Sequence, residues 1–271
     1  MYEFGVIGTG SMGSMLIRKF IETEVINANN IIANNRTKEK VISLSKETGI
    51  KTGENNQGVV KKSDIIFLCV KPLEVKGVLQ DLENVLTPKK LLISIAADVS
   101  LENLLAWSNA RVVKVIPSVT SECLKGVSLI SFGNNATESD KNLIFSLFSA
   151  ISRPIEIEEK NFELLADLTS CAPAFISSIL REFALSATRR DDIPSELAEL
   201  LVKETLAGTA ELLVKNESSF DGIISKVATK GGITEEGVKV IQKQIPDLYD
   251  NLLEVTLAKH NLVKEKIKNQ N

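Results

Sequence analysis

The sequence predicts an α/β fold, with an N-terminal doubly wound sheet followed by an all-α C-terminal domain. A glycine hexad, Gly8–Gly13, stands between a strand-like and a helix-like segment at the start of the chain. Strand and helix patterns then alternate as far as about residue 157, which is typical of a doubly wound sheet. From Asn161 onward, apolar residues recur only at helical spacing. We therefore expect two domains, over residues 1–158 and 159–271.

The composition argues against several classes of function. A net charge of −3 is unlike that of a nucleic-acid-binding domain. The three cysteines form no CxxC or zinc spacing, so we expect reduced thiols and no metal site. The chain starts without a signal-peptide pattern, and no apolar run approaches the roughly 20 residues that cross a bilayer. We expect a cytoplasmic protein without nucleic-acid or membrane partners, in which the single histidine, His260, is a surface residue.

The first elements predict a nucleotide site of the Rossmann type. Phe4–Ile7 is a short apolar strand, and helical periodicity begins at Ser14. In such a motif the first glycine, Gly8, permits a tight turn, and the second, Gly10, lets the backbone approach a pyrophosphate. Gly13 lets the helix pack closely on the strand, and the amides at the start of the helix bind the phosphates. The hexad alone is a weak signal, but between a strand and a helix it is specific.

The second strand indicates which dinucleotide binds. It covers Asn30–Asn34 and is followed by Asn35-Arg36-Thr37. NAD sites usually have an acidic residue here, whereas Arg36 can bind a 2′-phosphate through paired hydrogen bonds. We expect NADPH as the cofactor, with NADH as the alternative. A competing interpretation is that Arg36 and the following lysines are only the solvated first turn of the next helix.

The remaining apolar runs predict parallel strands whose carboxyl ends meet at the ligand-binding edge of the sheet. Lys71-Pro72 lies at that edge, and Pro72 suits the first turn of a helix to about Leu82. Asp98, at the mouth of another strand, is expected to cap the helix that follows it. The expected strands and the helix before the last of them are Ile65–Val70, Leu91–Ala97, Arg111–Pro117, Val127–Phe132, Glu138–Ala150 (helix) and Pro154–Ile157.

The second half predicts helices that pack beyond one chain. Several are apolar on more than one side, which favours a homodimer or an assembly of dimers through this domain. The expected helices are Phe162–Ser170, Ala174–Thr188, Ser195–Val214, Ser218–Lys226, Glu235–Gln244 and Leu248–Lys268.

A glycine loop between two of these helices is the second candidate site. In Thr229-Lys230-Gly231-Gly232-Ile233-Thr234, adjacent glycines leave bare amides that suit a carboxylate, and a hydroxyl stands on each side. The alternative is an ordinary turn in which Thr234 is the N-cap of the next helix.

Along nearly its whole length the chain resembles the pyrroline-5-carboxylate reductase family. Within that family it is similar to the reductase-like paralogues of bacterial late-competence operons (ComER-like). The segments that carry the resemblance are Gly8–Gly13, Asn35-Arg36-Thr37, Val70-Lys71-Pro72, Ser94-Ile95-Ala96-Ala97, Thr169-Ser170-Cys171-Ala172-Pro173-Ala174-Phe175 and the glycine loop.

The resemblance implies an NAD(P)H-dependent oxidoreductase of proline biosynthesis, which reduces the cyclic imine 1-pyrroline-5-carboxylate to L-proline. It implies that Thr234 and Thr229 are catalytic, with Thr234 hydrogen-bonded to the ring nitrogen. It also implies that the second domain of a dimer partner completes the site. The substrate-binding residues would be Thr229, Lys230, Gly231, Gly232 and Thr234. The cofactor-binding residues would be Ile7, Gly8, Thr9, Gly10, Ser11, Met12, Gly13, Asn35, Arg36, Thr37, Asn56, Cys69, Val70, Lys71, Pro72, Ile95, Ala96 and Ala97.

Departures from the family pattern leave a second function open. Ser118 stands where the family has an asparagine, and Ile233 replaces a threonine. Lys230 replaces a proline, and it either contacts the substrate carboxylate or points to solvent. Cys171 is expected to be a packing residue. The alternative function is a dinucleotide-binding regulatory or competence-related protein with weak or no reductase activity.

Overall fold

The computed structural model describes residues 2–215 and 219–270, and an eight-stranded sheet organises its N-terminal part. The strand order is β3-β2-β1-β4-β5-β6-β7-β8. All neighbouring strands pair in parallel except β6 and β7, which are antiparallel. The strands are β1 (Tyr2–Ile7), β2 (Ile31–Asn34), β3 (Lys51–Thr52), β4 (Ser63–Leu68), β5 (Leu91–Ser94), β6 (Arg111–Ile116), β7 (Gly126–Phe132) and β8 (Ser152–Glu156).

Six helices pack on the two faces of this sheet, which confirms the predicted fold class. Alternate residues of β1 enter different cores: Val6 joins the core beneath α1, α2 and α6, whereas Ile7 joins the core beneath α3, α4 and α5. The helices are α1 (Ser11–Glu22), α2 (Lys38–Thr48), α3 (Asn56–Lys61), α4 (Val75–Asp81), α5 (Leu101–Ala106) and α6 (Glu138–Ser149).

The observed elements differ from the predicted ones mainly at the carboxyl ends of strands. The strand expected over Leu91–Ala97 ends at Ser94, and the one expected over Ile65–Val70 ends at Leu68. The apolar pattern continues past the hydrogen-bonded part of each strand because the loops that follow also pack against the core. Strand β3 was missed because its two residues, Lys51 and Thr52, are exposed and show no apolar alternation.

The C-terminal part is helical, as predicted. A π-helical turn, Asp167–Cys171, joins the first two helices. Two helices expected on either side of Pro246 are one helix, since proline in a helix removes a single donor and the apolar spacing continues through it. Ser218, the expected start of another helix, lies outside the described residues. The helices are α7 (Phe162–Ala166), α8 (Ala172–Thr188), α9 (Ser195–Lys215), α10 (Phe220–Val227) and α11 (Ile233–Lys268).

By its contacts the chain separates into two compact units. The first contains residues up to Ala172 together with those from Thr256 onward, and the second is Pro173–Val255. Phe162 and Ile267 belong to buried clusters of the first unit, which is why the end of α11 is part of it. The expected domain boundary between residues 158 and 159 stays a prediction.

One apolar helical stretch of the described chain, Glu159–Thr188, is by length and composition long enough to cross a membrane. The expectation that no run approaches this length is therefore wrong. The stretch contains Asp167 and Pro173, and its large apolar side chains include Leu168, which is 62% exposed. The stretch contains α7, the π-helical turn and α8, and because the chain stays helical through the turn these form one long helical segment.

Candidate active site

The carboxyl ends of β1, β2 and β4 enclose a crevice of about 430 Å³ in the first unit. Backbone bonds join the three ends: the amide of Gly8 donates to the carbonyl of Asn34 (2.9 Å), and that of Cys69 donates to the carbonyl of Ile7 (2.8 Å). The crevice is lined by Ile7, Gly8, Gly10, Asn34, Asn35, Arg36, Thr37, Lys40, Asn56, Cys69, Val70, Lys71, Glu74 and Val78.

Each of the three glycines of the hexad is a glycine for a different structural reason. Gly8 has a φ of +96°, and a Cβ there would lie 2.4 Å from the carbonyl oxygen of Cys69. A Cβ on Gly13 would lie 2.2 Å from the carbonyl oxygen of Gly8. A Cβ on Gly10 would meet no atom of the described chain within 4 Å. Gly8 and Gly13 are thus required by the fold, whereas Gly10 leaves free space beside the crevice.

The start of α1 is arranged as an anion site. Gly10 is its N-cap, and no side chain of the described residues caps the first amides. Free amides at a helix N-terminus, with the helix dipole behind them, bind phosphate. The open space at Gly10 and the uncapped amides fit the pyrophosphate of a dinucleotide.

Asparagines hold the far side of the crevice. The Oδ1 of Asn35 accepts from the amide of Thr9 (2.9 Å), which attaches the glycine turn to the end of β2. Nδ2 of Asn34 donates to Oδ1 of Asn56 (2.6 Å), and Nζ of Lys38 donates to Oδ1 of Asn34 (2.5 Å). Asn34 was not predicted as a site residue. Its position as the single polar residue at the end of an otherwise apolar strand is the signal that could have indicated it.

Arg36 lies at the rim of the crevice, where its side chain is 85% exposed. Its Nη1 is 2.9 Å from Oε1 of Glu74, which also lines the crevice. Thr37 and Lys40 lie on the same wall. Glu74 was missed by sequence reasoning, although it ends the turn that Pro72 begins at the ligand-binding edge.

Eight of the predicted cofactor residues do not line this crevice: Thr9, Ser11, Met12, Gly13, Pro72, Ile95, Ala96 and Ala97. Thr9 is buried, and its Oγ1 has no hydrogen-bond partner within the described residues. Ile95 to Ala97 follow β5, the neighbour of β4 in the sheet. Among the residues that do line the crevice, burial raises the pKa of the Cys69 thiol to about 12, so this thiol is not a nucleophile near neutral pH.

The predicted substrate residues lie in the second unit, Thr229 to Gly232 on the loop between α10 and α11 and Thr234 in the first turn of α11. The amide of Gly231 donates to Oε2 of Glu235 (2.8 Å), and the amide of Gly232 donates to the carbonyl of Thr229 (2.9 Å). The expectation of bare amides is therefore wrong, because a carboxylate of the chain and a turn carbonyl bind them. Thr234 is not an N-cap either, since α11 begins one residue earlier. Thr229, Lys230 and Thr234 are exposed in this chain.

Two expectations about single residues are corrected near the end of β5. Ser100, and not Asp98, caps α5, because its Oγ accepts from the amide of Asn103 (3.1 Å). Oδ1 of Asp98 instead lies 2.5 Å from Nδ1 of His260. The His260 side chain is only 16% exposed, so it is not a surface residue.

The comparisons with known proteins follow this division of the chain. Residues 3–98 match the model of the family described as "NADP oxidoreductase coenzyme F420-dependent", and residues 159–261 match "Pyrroline-5-carboxylate reductase dimerisation". From Bacillus subtilis (strain 168), ComE operon protein 4 is 34% identical over 95% of both chains. Pyrroline-5-carboxylate reductase 3 of the same organism is 35% identical over 100% of both. The chain belongs to the pyrroline-5-carboxylate reductase family.

Membership of the pyrroline-5-carboxylate reductase family makes the chain an oxidoreductase that uses a nicotinamide dinucleotide, as the sequence predicted. The fold matches that of Plasmodium falciparum pyrroline carboxylate reductase with NADP bound, with a TM-score of 0.84, 22% identity and 98% of each chain covered. The dimerisation match supports oligomerisation through the helical region. Both the predicted family and the predicted likeness to a late-competence-operon protein are confirmed.

Proposed function

We propose that this protein reduces 1-pyrroline-5-carboxylate to L-proline with NADPH. The observation that carries the proposal is the turn at Gly10, where a Cβ would meet no atom of the described chain within 4 Å and a phosphate therefore has room. Arg36 lies at the rim of the same crevice. The full-length likeness to pyrroline-5-carboxylate reductase 3 supports the choice of substrate.

The crevice favours NADPH over NADH for an electrostatic reason. Arg36, Thr37 and Lys40 all line the crevice, where a 2′-phosphate would gain charge-assisted hydrogen bonds. No acidic residue follows β2 directly to receive the ribose hydroxyls, as it does in many NAD sites. Asn34 and Asn56, which pair with each other in the crevice lining, would face the ribose instead.

The chemistry needs little from the protein beyond position and one proton donor. The bound cofactor supplies a hydride, which reduces the imine carbon. The hydroxyl of Thr234 hydrogen-bonds the ring nitrogen, whose basicity rises as the imine becomes an amine. Thr229 and Lys230 bind the carboxylate and fix the ring, and the amide of Gly231 joins them when Glu235 releases it. Thr234 and Thr229 are the catalytic residues of this proposal.

The active form is a homodimer or an assembly of dimers, in which helices of a partner complete the site. Exposed apolar side chains on the helices support this, among them Phe183, Leu201 and Val240 at 68%, 56% and 57% exposure. We place the enzyme in the cytoplasm, in proline biosynthesis.

A second candidate function is a dinucleotide-binding regulatory protein with weak or no reductase activity. The regulatory function is favoured by the hydrogen bond that the amide of Gly231 donates to Glu235, since this carboxylate would repel a carboxylate substrate. Ser118 adds to this, because its hydroxyl donates to the carbonyl of Thr169 (3.1 Å) and is not free for a ligand.

The test is a turnover assay with purified protein, 1-pyrroline-5-carboxylate and either NADPH or NADH. We expect consumption of NADPH, formation of proline and a higher kcat/KM with NADPH than with NADH. NADPH binding without proline formation would favour the regulatory function. Replacing Arg36 by Gln should weaken NADPH binding about tenfold or more and NADH binding little, since only NADPH carries the 2′-phosphate.

A further inference from the structure

His260 is the single histidine of the chain, and it lies between two carboxylates of the first unit. Its Nδ1 is 2.5 Å from Oδ1 of Asp98, at the mouth of β5. Its Nε2 is 3.9 Å from Oδ1 of Asp167, in the π-helical turn. The side chains of Asp98 and Asp167 are 11% and 1% exposed. Buried carboxylates need partners, and this ring faces both of them.

Asp167 also binds α11 directly. Its Oδ2 accepts from Oγ1 of Thr256 at 2.6 Å, one helical turn before His260. Its Oδ1 has no hydrogen-bond partner in the part of the chain that the structure describes. Among the described residues, the His260 ring is the basic group within 4 Å of this oxygen, and the Cys171 thiol also faces Asp167.

The other charged groups around this cluster have partners of their own. Nζ of Lys264 on α11 lies 2.6 Å from Glu163, and Nζ of Lys114 on β6 lies 3.5 Å from Glu159. Cys171, at the end of the π-helical turn, is a neutral thiol, because burial and then the charge of Asp167 raise its pKa. Neither lysine competes with His260 for the two aspartates.

The cluster joins two neighbouring strand ends at the crevice edge. Asp98 ends the segment Ile95–Asp98, whose first amide donates to the carbonyl of Leu68 (3.2 Å), just before the crevice-lining Cys69. The loop after β6 is held by the same π-helical turn, since Ser118 donates to the carbonyl of Thr169 (3.1 Å). The turn therefore contacts the end of β6 directly and faces the end of β5 through His260.

We propose that His260 is a positioning residue for hydride transfer. Through its hydrogen bond to Asp98 and its position 3.9 Å from Asp167, its ring holds the segment Ile95–Asp98 close to the π-helical turn and fixes the end of β5 beside the reacting end of the cofactor. This rests on the proposed function, because it takes the end of β5 to be the nicotinamide side of the crevice. His260 touches neither cofactor nor substrate in this account and acts through the backbone of the segment.

The kinetic test compares His260→Gln, Asp98→Asn and the double variant with Lys264→Gln, which breaks an ion pair one turn further along α11. We expect each of the first two to lower kcat about tenfold while the KM for NADPH changes less than about twofold, since misplacement costs rate more than binding. The double variant should be no worse than either single one, because all three break the same link. Lys264→Gln should lose thermal stability to a similar degree and keep its kcat.

A spectroscopic test does not depend on imine turnover. The chain has one histidine, so its ring gives one set of proton NMR signals. We expect NADPH to shift these signals in the wild type and in Lys264→Gln. Shifted signals without imine reduction would contradict the proposed function and support only the coupling of His260 to the dinucleotide crevice. Imine reduction with unmoved ring signals, or with kcat unchanged in His260→Gln, would overturn the role of His260 and leave the proposed function standing.

Discussion

Nη1 of Arg36 lies 2.9 Å from Oε1 of Glu74, so the cation that would receive a 2′-phosphate is already paired with a carboxylate of the same crevice. Both groups are solvated, and their attraction is accordingly modest. A 2′-phosphate must nevertheless displace Glu74 from Arg36, and the negative charge of Glu74 then remains close to the phosphate. Glu74 therefore reduces the preference for NADPH that Arg36 provides.

Replacing Glu74 by Gln should strengthen NADPH binding about 3- to 10-fold and leave NADH binding within about 2-fold, because one nearby negative charge is removed. The gain should shrink at high salt, which screens exposed charges. Titration of reduced-nicotinamide fluorescence measures both affinities. Glu83→Gln, an exposed acid outside the crevice lining, is the control. Equal gains for the two cofactors would show that Glu74 does not face the 2′-phosphate.

Gly10 and Gly13 should respond in opposite ways to alanine. Gly10→Ala has room for its methyl group, so it should unfold at the wild-type temperature yet bind NADPH about tenfold or more weakly, because the pyrophosphate needs that space. In Gly13→Ala the methyl group meets the carbonyl oxygen of Gly8 at 2.2 Å, and the variant should lose about 1–3 kcal/mol of stability. Thermal unfolding with and without NADPH measures both. If Gly10→Ala binds NADPH as tightly as the wild type, the phosphates do not bind at this turn.

Glu235 should oppose the binding of a carboxylate substrate. Glu235→Gln is expected to lower the KM for 1-pyrroline-5-carboxylate about threefold or more, since a neutral amide releases the Gly231 amide more easily and does not repel the substrate. Glu236→Gln is the matched control, because both carboxylates lie near Lys239, at 2.6 Å for Glu236 and 3.7 Å for Glu235, but the bond to the Gly231 amide comes from Glu235. A KM that rises in Glu235→Gln would mean that this carboxylate supports the loop and does not compete with substrate.

Substitutions of Thr234 and Thr229 should change different kinetic constants. Thr234→Val keeps the shape of the side chain and removes the donor to the ring nitrogen, so kcat should fall about 100-fold. Thr229→Val removes a contact to the carboxylate and should raise KM more than it lowers kcat. Steady-state rates over a range of imine concentrations distinguish these effects. An unchanged kcat in Thr234→Val would exclude Thr234 from the proton step.

The fold was predictable because its signals are local. The hexad lies between β1 and α1, and apolar runs mark β4, β5 and β6, so the doubly wound class followed from spacing alone. The antiparallel pairing of β7 with β6 has no such signal, since it depends on the path of the connecting chain. Likewise, nothing in the helical spacing on either side of Pro246 distinguishes two helices from one.

The parts of the site that sequence reasoning missed are pairs distant in the chain. Asp98 and His260 are separated by 162 positions, and Arg36 and Glu74 by 38. Each residue alone fits a commoner role, a helix cap for Asp98 and a solvated face for His260. The amides of Gly231 and Gly232 were expected to be bare, although the first donates to the Glu235 side chain and the second to the carbonyl of Thr229. These pairings are short in sequence, but they depend on where the turn closes and α11 begins.

The central claim is hydride transfer from NADPH to the imine carbon, and isotope transfer tests it most directly. The wild type is given 1-pyrroline-5-carboxylate and NADPH deuterated at both C4 positions, and the product is analysed by mass spectrometry. We predict proline that carries one deuterium at carbon 5, formed in amounts equal to the NADPH consumed. Bound NADPH with no proline, or proline without deuterium, would contradict the account.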